Sequence, residues 1–154
     1  AAHGYDPLPV FRGQPEREVD RAALPLIFTS GKSKAYTHGT YRSVPRLRAL
    51  VPEPYLYLHP DAATARGIRE GDWVMLETPK GRIRLKARLD AELSPHVVAG
   101  EEGWWQACEA LGLPGYDQLS ETGANLNLLI GDDAIDPITG SIPLRGQPCQ
   151  VFGA

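Results

Sequence analysis

The sequence lacks any long apolar segment. Nowhere do its 154 residues approach the roughly eighteen consecutive apolar residues that a membrane-spanning helix needs. No basic stretch followed by an apolar one opens the chain, as it would in a secretory leader. The sequence therefore predicts no membrane span, and it slightly favours the cytoplasm without assigning a location. Its first residues, Ala1-Ala2-His3-Gly4, lack an initiating Met, so we expect a fragment of a longer polypeptide.

Cysteine is scarce, with two residues in the whole chain, Cys108 and Cys149. They are far apart in sequence and neither belongs to a C-x-x-C pair. A zinc knuckle, iron–sulfur ligation and a thioredoxin-type redox site are therefore unsupported. Because a domain of this size folds without a disulfide, we expect two ordinary buried thiols.

Hydrolase and phosphate-loop motifs are also missing. The sequence contains neither G-x-S-x-G nor H-E-x-x-H. This absence disfavours a small hydrolase built on the available candidates, which are His38, His59, Asp61 and Asp72. Gly31-Lys32-Ser33 follows a predicted strand, as in nucleoside triphosphatases, but the phosphate-loop motif requires glycine where Leu26 stands.

Acidic residues are absent from residues 22–52, although the formal net charge of the chain is −3. The same segment holds five cations, Lys32, Lys34, Arg42, Arg46 and Arg48. The acidic residues gather elsewhere, at Glu101-Glu102 and around Asp132, Asp133 and Asp136. This distribution favours one localised anion site over a protein that coats nucleic acid. A solvated basic loop is the alternative interpretation.

Glycine and proline are abundant, with 16 and 14 residues, which indicates many turns and short strands. Residues 1–23 show no periodicity and are predicted to be an extended lead-in. We expect residues 24–154 to form one domain, with short helices within 43–50, from Pro60 to just before Gly67, and from about residue 124. The predicted strands are 24–29, 55–58, 73–78, 82–89, 95–100 and 149–152.

One strand has a particularly clear pattern. Ile83, Leu85, Ala87 and Leu89 alternate with charged residues, as in a strand with one face on a core and one in water. Its neighbour across Pro79-Lys80-Gly81 is expected to pair antiparallel with it. Short strands, small helices and long loops together predict a mainly β fold closed into a barrel, because closure removes exposed strand edges.

Four stretches of the sequence, taken in order, carry a family resemblance: residues 25–48, residues 52–74, Gly103-Trp104-Trp105 with residues 124–127, and residues 136–146. They resemble the C-terminal molybdopterin-dinucleotide-binding domain of the dimethyl-sulfoxide-reductase family of molybdenum and tungsten oxidoreductases. The resemblance covers nearly the whole chain from Leu24 onward. It implies a double-psi β-barrel of the aspartate-decarboxylase-like type.

The resemblance also implies a function. The domain would bind molybdopterin guanine dinucleotide through its loops, while the molybdenum or tungsten ligand would come from another domain. The implied partners are other domains of the same chain, with no nucleic acid. The isolated domain is expected to be monomeric and without redox activity. A free-standing barrel subunit or a protein-interaction module is the alternative.

Ten residues are predicted to bind the cofactor, and none is predicted to be catalytic or to ligate metal. A pterin dinucleotide needs backbone N–H groups, hydroxyls, amides and positive charge, which a Thr29-Ser30-Gly31 turn and the residues after it would supply. Lys32 departs from the family pattern, in which arginine is commoner, and offers a point charge. The ten residues are Thr29, Ser30, Gly31, Lys32, Ser33, Tyr36, His38, Trp104, Asn125 and Asn127.

Several of these residues also have ordinary structural interpretations. The glycine turn could simply join a strand to a loop, and His38 could be a surface or core histidine. An Asn just before Leu126 suits a helix N-cap, which leaves the other Asn for a ligand. Trp104 and Trp105 could pack in the core or against another domain.

Overall fold

The computed structural model of the chain describes Gly4, Leu8, residues 20–132 and residues 135–154. Most of the predicted lead-in, residues 1–23, lies outside these described residues, so it stays a prediction. Within the described part of the chain, no helix is long and apolar enough to cross a membrane.

Within these described residues the fold consists of six strands and a few short helical segments. The strands are β1 (Leu26–Gly31), β2 (Tyr55–Leu58), β3 (Trp73–Thr78), β4 (Gly81–Leu89), β5 (Val97–Glu101) and β6 (Gln147–Gly153). The helices are α1 (Pro45–Arg48) and α2 (Pro60–Thr64), with 3₁₀ turns at Glu109–Leu111 and Leu126–Leu129.

The strands close into a barrel in the order β1-β5-β2-β4-β3-β6. β1 pairs parallel with β5, and β2 pairs parallel with β4. The remaining neighbours are antiparallel. Every strand therefore has a partner on each side and no edge is left open. This closed, mainly β barrel confirms the predicted fold class.

The predicted antiparallel hairpin is present between β3 and β4, with a register running from Trp73 opposite Lys86 to Thr78 opposite Gly81. Ile83, Leu85 and Ala87 are fully buried in the barrel, while the charged residues between them face outward. Cys108 and Cys149 are free and buried, as expected. Burial raises the pKa of the Cys149 thiol to about 12.

Helix α2 begins at Pro60, as the sequence predicts, and ends at Thr64. Its N-cap is His59, whose Nδ1 accepts a hydrogen bond from the Asp61 backbone N–H at 3.1 Å. Gly67 follows with φ of +67°, a left-handed conformation that suits glycine. His59 therefore has a capping role, which removes one candidate base of the hydrolase alternative.

The predicted turn at Thr29-Ser30-Gly31 is wrong. These residues continue β1 and pair with Ala99, Gly100 and Glu101 of β5. Turn-forming composition predicted a loop, but a parallel neighbour distant in sequence supplies hydrogen-bond partners for this backbone, and tertiary pairing overrides local preference. The cofactor loop predicted to begin at Thr29 therefore begins after Gly31.

The barrel core is expected to dominate stability. Leu85→Ala, at a position that is 0% exposed, should lower the free energy of unfolding by about 2–5 kcal/mol, because a cavity adds to the lost burial. The matched control is Leu119→Ala, at a position 85% exposed, which should change it by less than about 0.5 kcal/mol. Urea unfolding of both variants measures the difference. Equal effects would contradict the barrel packing.

Candidate functional site

Two loops leave the barrel at one rim. Gly31 ends β1 and Glu101 ends β5, and the two residues are register partners in the parallel pair. The carboxyl ends of parallel neighbouring strands lie together, so the segments that follow them begin side by side. We name residues 32–44 the first loop and residues 102–125 the second loop.

The two loops touch at a pair of glycines. Gly103 has φ of +83°, and a Cβ atom added there would overlap Cα of Gly39. Around this contact, Trp105 Nε1 donates to the Gly39 carbonyl at 3.1 Å. His38 Nδ1 lies 3.0 Å from Glu102 Oε1. Glycine at position 103 is therefore what permits the backbones to approach so closely, whereas a Cβ atom at Gly39 would come no nearer than 3.4 Å to Trp105 Nε1.

The tip of the first loop is strained. Thr40 N–H bonds to the Thr37 carbonyl at 3.0 Å, which closes a tight turn over His38 and Gly39. His38 has φ of +49° and Tyr41 has φ of +71°, a conformation that is uncommon outside glycine. Strain of this kind persists where surrounding contacts hold it, and it concentrates at binding sites.

Arg42 holds this turn against the second loop. Its side chain is 1% exposed. Nη1 donates to the His38 carbonyl at 2.5 Å, and Nη2 donates to the Glu102 carbonyl. The guanidinium also lies over the rings of Tyr36 and Trp104, 4.3 and 4.9 Å from their centroids. Burial lowers the pKa of Arg42, and the nearby Glu101 carboxylate opposes that shift.

Arg48, on helix α1, joins four backbone segments from a fully buried position. Nε donates to Pro52 at 2.8 Å, and Nη2 donates to Pro114 at 2.9 Å. Nη1 donates to Gln106 at 2.9 Å and to Arg42 at 3.3 Å. All of these acceptors are carbonyl oxygens. A planar fork of five N–H donors suits this arrangement, which a lysine could not reproduce.

These contacts correct the interpretation of the basic segment. The sequence predicted an anion site from five cations, with a solvated loop as the alternative. Arg42 and Arg48 are instead buried structural groups, whereas Lys32, Lys34 and Arg46 are exposed. One feature of the sequence does indicate that these arginines bond to the backbone. Because residues 22–52 contain no acidic side chain, backbone carbonyls are the acceptors available nearby.

Three cavities follow the rim. The loop cavity, of about 200 Å³, is lined by Gly31, Lys32, Ser33, Tyr36, Thr37, His38, Arg42, Glu101 and Glu102. The tryptophan cavity, of about 240 Å³, is lined by Gly39, Glu102, Gly103, Trp104, Trp105, Gln118, Asn125, Leu126 and Asn127. A wider groove of about 570 Å³ shares Gly31, Lys32, Ser33 and Glu101 with the loop cavity. Glu102 lines both smaller cavities, so they are neighbours.

Eight of the ten predicted residues line these cavities. Gly31, Lys32, Ser33, Tyr36 and His38 line the loop cavity, and Trp104, Asn125 and Asn127 line the tryptophan cavity. Thr29 and Ser30 line none of the three and lie in β1. The prediction did not include several other lining residues, namely Thr37, Gly39, Arg42, Glu101, Glu102, Gly103, Trp105, Gln118 and Leu126.

The two asparagines differ in how fully their amides are used. Asn125 is the N-cap of the Leu126–Leu129 turn, with its side-chain oxygen accepting from the Asn127 N–H at 3.1 Å. Its Nδ2 donates to the Gln118 carbonyl at 2.8 Å. Asn127 is exposed, and its amide is free of hydrogen bonds to the described residues. The capping interpretation therefore holds for Asn125, and Asn127 is the amide available to a ligand.

Trp104 carries an unused donor at the tryptophan cavity. The side chain is 3% exposed, and its Nε1–H is buried without a hydrogen-bond acceptor. A buried donor normally has a partner, so each exception calls for an explanation. Trp104 also meets the rings of Tyr36 and Tyr116 edge-on. The indole is thus held by aromatic contacts, while its N–H has no acceptor among the described residues.

The region from residue 26 to 148 matches the family model described as "Molydopterin dinucleotide binding domain". The chain belongs to this molybdopterin-dinucleotide-binding domain family. The matched region contains both loops and all three cavities. The family identifies the ligand class, and the unpartnered indole N–H, the free amide and the exposed Lys32 are donors that fit such a ligand.

Named relatives of the domain are much longer proteins. Dopamine dehydroxylase of Eggerthella lenta is 30% identical over 96% of this chain and 14% of its own length. Acetylene hydratase of Syntrophotalea acetylenica is 30% identical over 93% of this chain and 20% of its own length. The solved acetylene hydratase from Pelobacter acetylenicus superimposes with a TM-score of 0.81 at 25% identity, covering 99% of this chain and 22% of that one. The chain thus spans a fifth or less of these two curated relatives.

The glycine contact between the loops is open to a direct test. Gly103→Ala should lower the free energy of unfolding by more than about 2 kcal/mol, since it combines positive-φ strain with backbone overlap. Gly112→Ala is the matched control, because Gly112 has φ of +64° with nothing within 4 Å. It should cost about 1 kcal/mol, for strain alone. Faster amide exchange at residues 38–42 in Gly103→Ala only would confirm the contact, and equal losses would contradict it.

Proposed function

We propose that the two loops of this domain bind molybdopterin guanine dinucleotide within a longer molybdenum or tungsten oxidoreductase. The observation that supports this most directly is the pair of adjacent cavities on loops of the matched domain, each with a buried polar atom that lacks a partner. The relatives' names describe different reactions, so the proposal concerns the cofactor and leaves the reaction unassigned.

In the first loop, Lys32 is the residue we assign to the diphosphate. Its ammonium is exposed beside the loop cavity, and a point charge suits an anion that approaches from solvent. Ser33 and Tyr36 act differently. Ser33 Oγ accepts from the Ala35 N–H at 3.2 Å. Tyr36 donates its hydroxyl proton to the Val51 carbonyl at 2.6 Å. Both therefore shape the cavity.

Trp104 in the second loop and Asn127 in the 3₁₀ turn that follows it are the proposed contacts to a heterocycle. An amide both donates and accepts, as recognition of a pterin or guanine edge requires. The indole N–H adds one donor. Asn125 supports them by fixing the 3₁₀ turn. His38, exposed on the first loop, is assigned a hydrogen-bonding role near the cofactor.

The metal of the cofactor supplies the redox chemistry when bound, and we propose that its protein ligand comes from another domain. Across residues 20–132 and 135–154, no group of three or more His, Cys, Asp or Glu side chains is placed to hold a metal ion. The residues of this domain would bind and orient the organic part of the cofactor. The isolated domain is accordingly expected to lack redox activity.

Other domains of the same chain are the proposed partners. Aliphatic side chains are exposed along the closing segment, residues 135–144, with Ile138 68% and Leu144 49% exposed. Ile135 and Ile142 are also exposed. An apolar group of this kind on a small domain suits contact with neighbouring protein.

The cofactor proposal predicts where a nucleotide binds. GDP added to the isotope-labelled chain at millimolar concentration should shift backbone resonances within residues 31–42 and 101–127. Binding should be weak, because one wall of a site leaves its loops to be ordered at an entropic cost. Two-dimensional NMR measures this. Shifts confined to the outer face of β4, at Arg82 and Arg88, would favour the interaction-module alternative.

Substitutions of the two asparagines should distinguish an effect on cofactor binding from an effect on folding. In the full-length enzyme, Asn127→Ala should reduce cofactor content per folded molecule and leave thermal unfolding nearly unchanged. Asn125→Ala should lower the unfolding free energy by about 0.5–2 kcal/mol, because it removes a cap. Metal and pterin analysis measures the cofactor content of each variant, and calorimetry measures its thermal unfolding. Full occupancy in Asn127→Ala would refute the assigned contact.

A further inference from the structure

Glu101 occupies an unusual position for a carboxyl group. It is the last residue of β5 and is 4% exposed, although no ion pair with a basic side chain is formed within the described residues. Its Oε1 accepts a hydrogen bond from Tyr57 Oη at 3.3 Å. Its Oε2 is buried without a hydrogen-bond partner.

The unpartnered oxygen belongs to a residue that lines two of the three cavities. Glu101 contributes to the loop cavity and to the wider groove. Arg42, which lines the same loop cavity, has a buried Nε–H without an acceptor. The two atoms are therefore not bonded to each other. A buried polar group left without a partner costs about 1–3 kcal/mol, and more when it is charged.

The polarity of these groups suggests what the cavity accepts. A carboxylate oxygen accepts hydrogen bonds from N–H groups and repels phosphate. Tyr57 occupies Oε1, which leaves Oε2 as the carboxyl oxygen able to accept a further hydrogen bond. The exocyclic amino group of a 2-amino-4-oxopyrimidine ring is a donor of the required kind. Guanine and pterin share this ring.

We propose that Glu101 is a specificity-determining residue whose carboxylate accepts a hydrogen bond from the 2-amino group of a guanine or pterin ring. This inference rests on the proposed cofactor binding and adds a residue that recognises the heterocycle by a hydrogen bond. Arg42 acts as a positioning residue, since it donates to the backbone carbonyls of His38 and Glu102, which both line the loop cavity. Burial raises the pKa of Glu101, which is consistent with a carboxyl group that lacks full compensation inside the protein.

Paired ligands that differ at the 2-amino position test the proposal. GDP is compared with IDP, which lacks this amino group, and pterin is compared with lumazine, which has an oxygen in its place. NMR titration of the 154-residue chain gives the four affinities. In at least one pair the amino compound should bind about tenfold more tightly, because a hydrogen bond to a charged group is lost in the other compound. The pair that discriminates identifies which end of the dinucleotide meets Glu101.

Glu101→Gln keeps an oxygen acceptor for Tyr57 and should abolish that discrimination. Glu77→Gln is the control, because Glu77 lies in β3, which is not a neighbour of β1 or β5 in the barrel, and it should retain the tenfold difference. Amide spectra of both variants check that they fold. The comparison of ligands in the unaltered chain stands even where a variant does not fold.

The outcomes separate this inference from the cofactor proposal. Loop resonances that shift equally for both members of each pair would overturn the role of Glu101 and leave cofactor binding supported. Discrimination that persists in Glu101→Gln would also overturn it. Absence of loop shifts with all four ligands would overturn both proposals.

Discussion

The parallel pairing of β1 with β5 is the constraint on which the site depends. It places Gly31 beside Glu101, although seventy residues separate them in the sequence. Both following loops therefore start at one rim, and their contact at Gly39 and Gly103 follows from that common start. In a barrel with every edge paired, this register is also difficult to change, because a shift of one residue would reverse the face of every side chain in the strand.

The buried guanidinium groups of Arg42 and Arg48 fix the conformation of the two neighbouring loops. Arg42 and Arg48 bond to carbonyl oxygens of both loops, and among the described residues no carboxylate forms an ion pair with either of them. Removing one of these partners would leave a buried charge or carbonyl unsatisfied, which opposes opening of the loops.

The sequence predicted the barrel better than the site, for physical reasons. Strand β4 was recognisable because alternation of Ile83 and Leu85 with charged residues is a local pattern. The family motifs singled out Lys32, Trp104 and Asn127, which line the loop and tryptophan cavities, and their contacts to a ligand stay a prediction. Burial of Arg48 was not predictable from the sequence. Its acceptors, the carbonyls of Gln106 and Pro114, lie 58 and 66 residues further along the chain. The strand that contains Thr29 was equally hard to predict, because Thr29 pairs with Ala99, which is also distant in the sequence.

Internal hydrogen bonds divide the polar residues of the site into two groups. Asn125, Tyr36 and Arg48 are engaged with the chain itself, so contacting a ligand would require them to give up a bond already made. Trp104 Nε1 and Glu101 Oε2 have no such bond to lose, and a ligand that pairs with them removes an existing desolvation penalty. On the proposed function, binding energy would come mainly from the second group and loop stability from the first. Because different side chains would carry the two properties, substitution at the rim would change the heterocycle preference while the loops keep their shape.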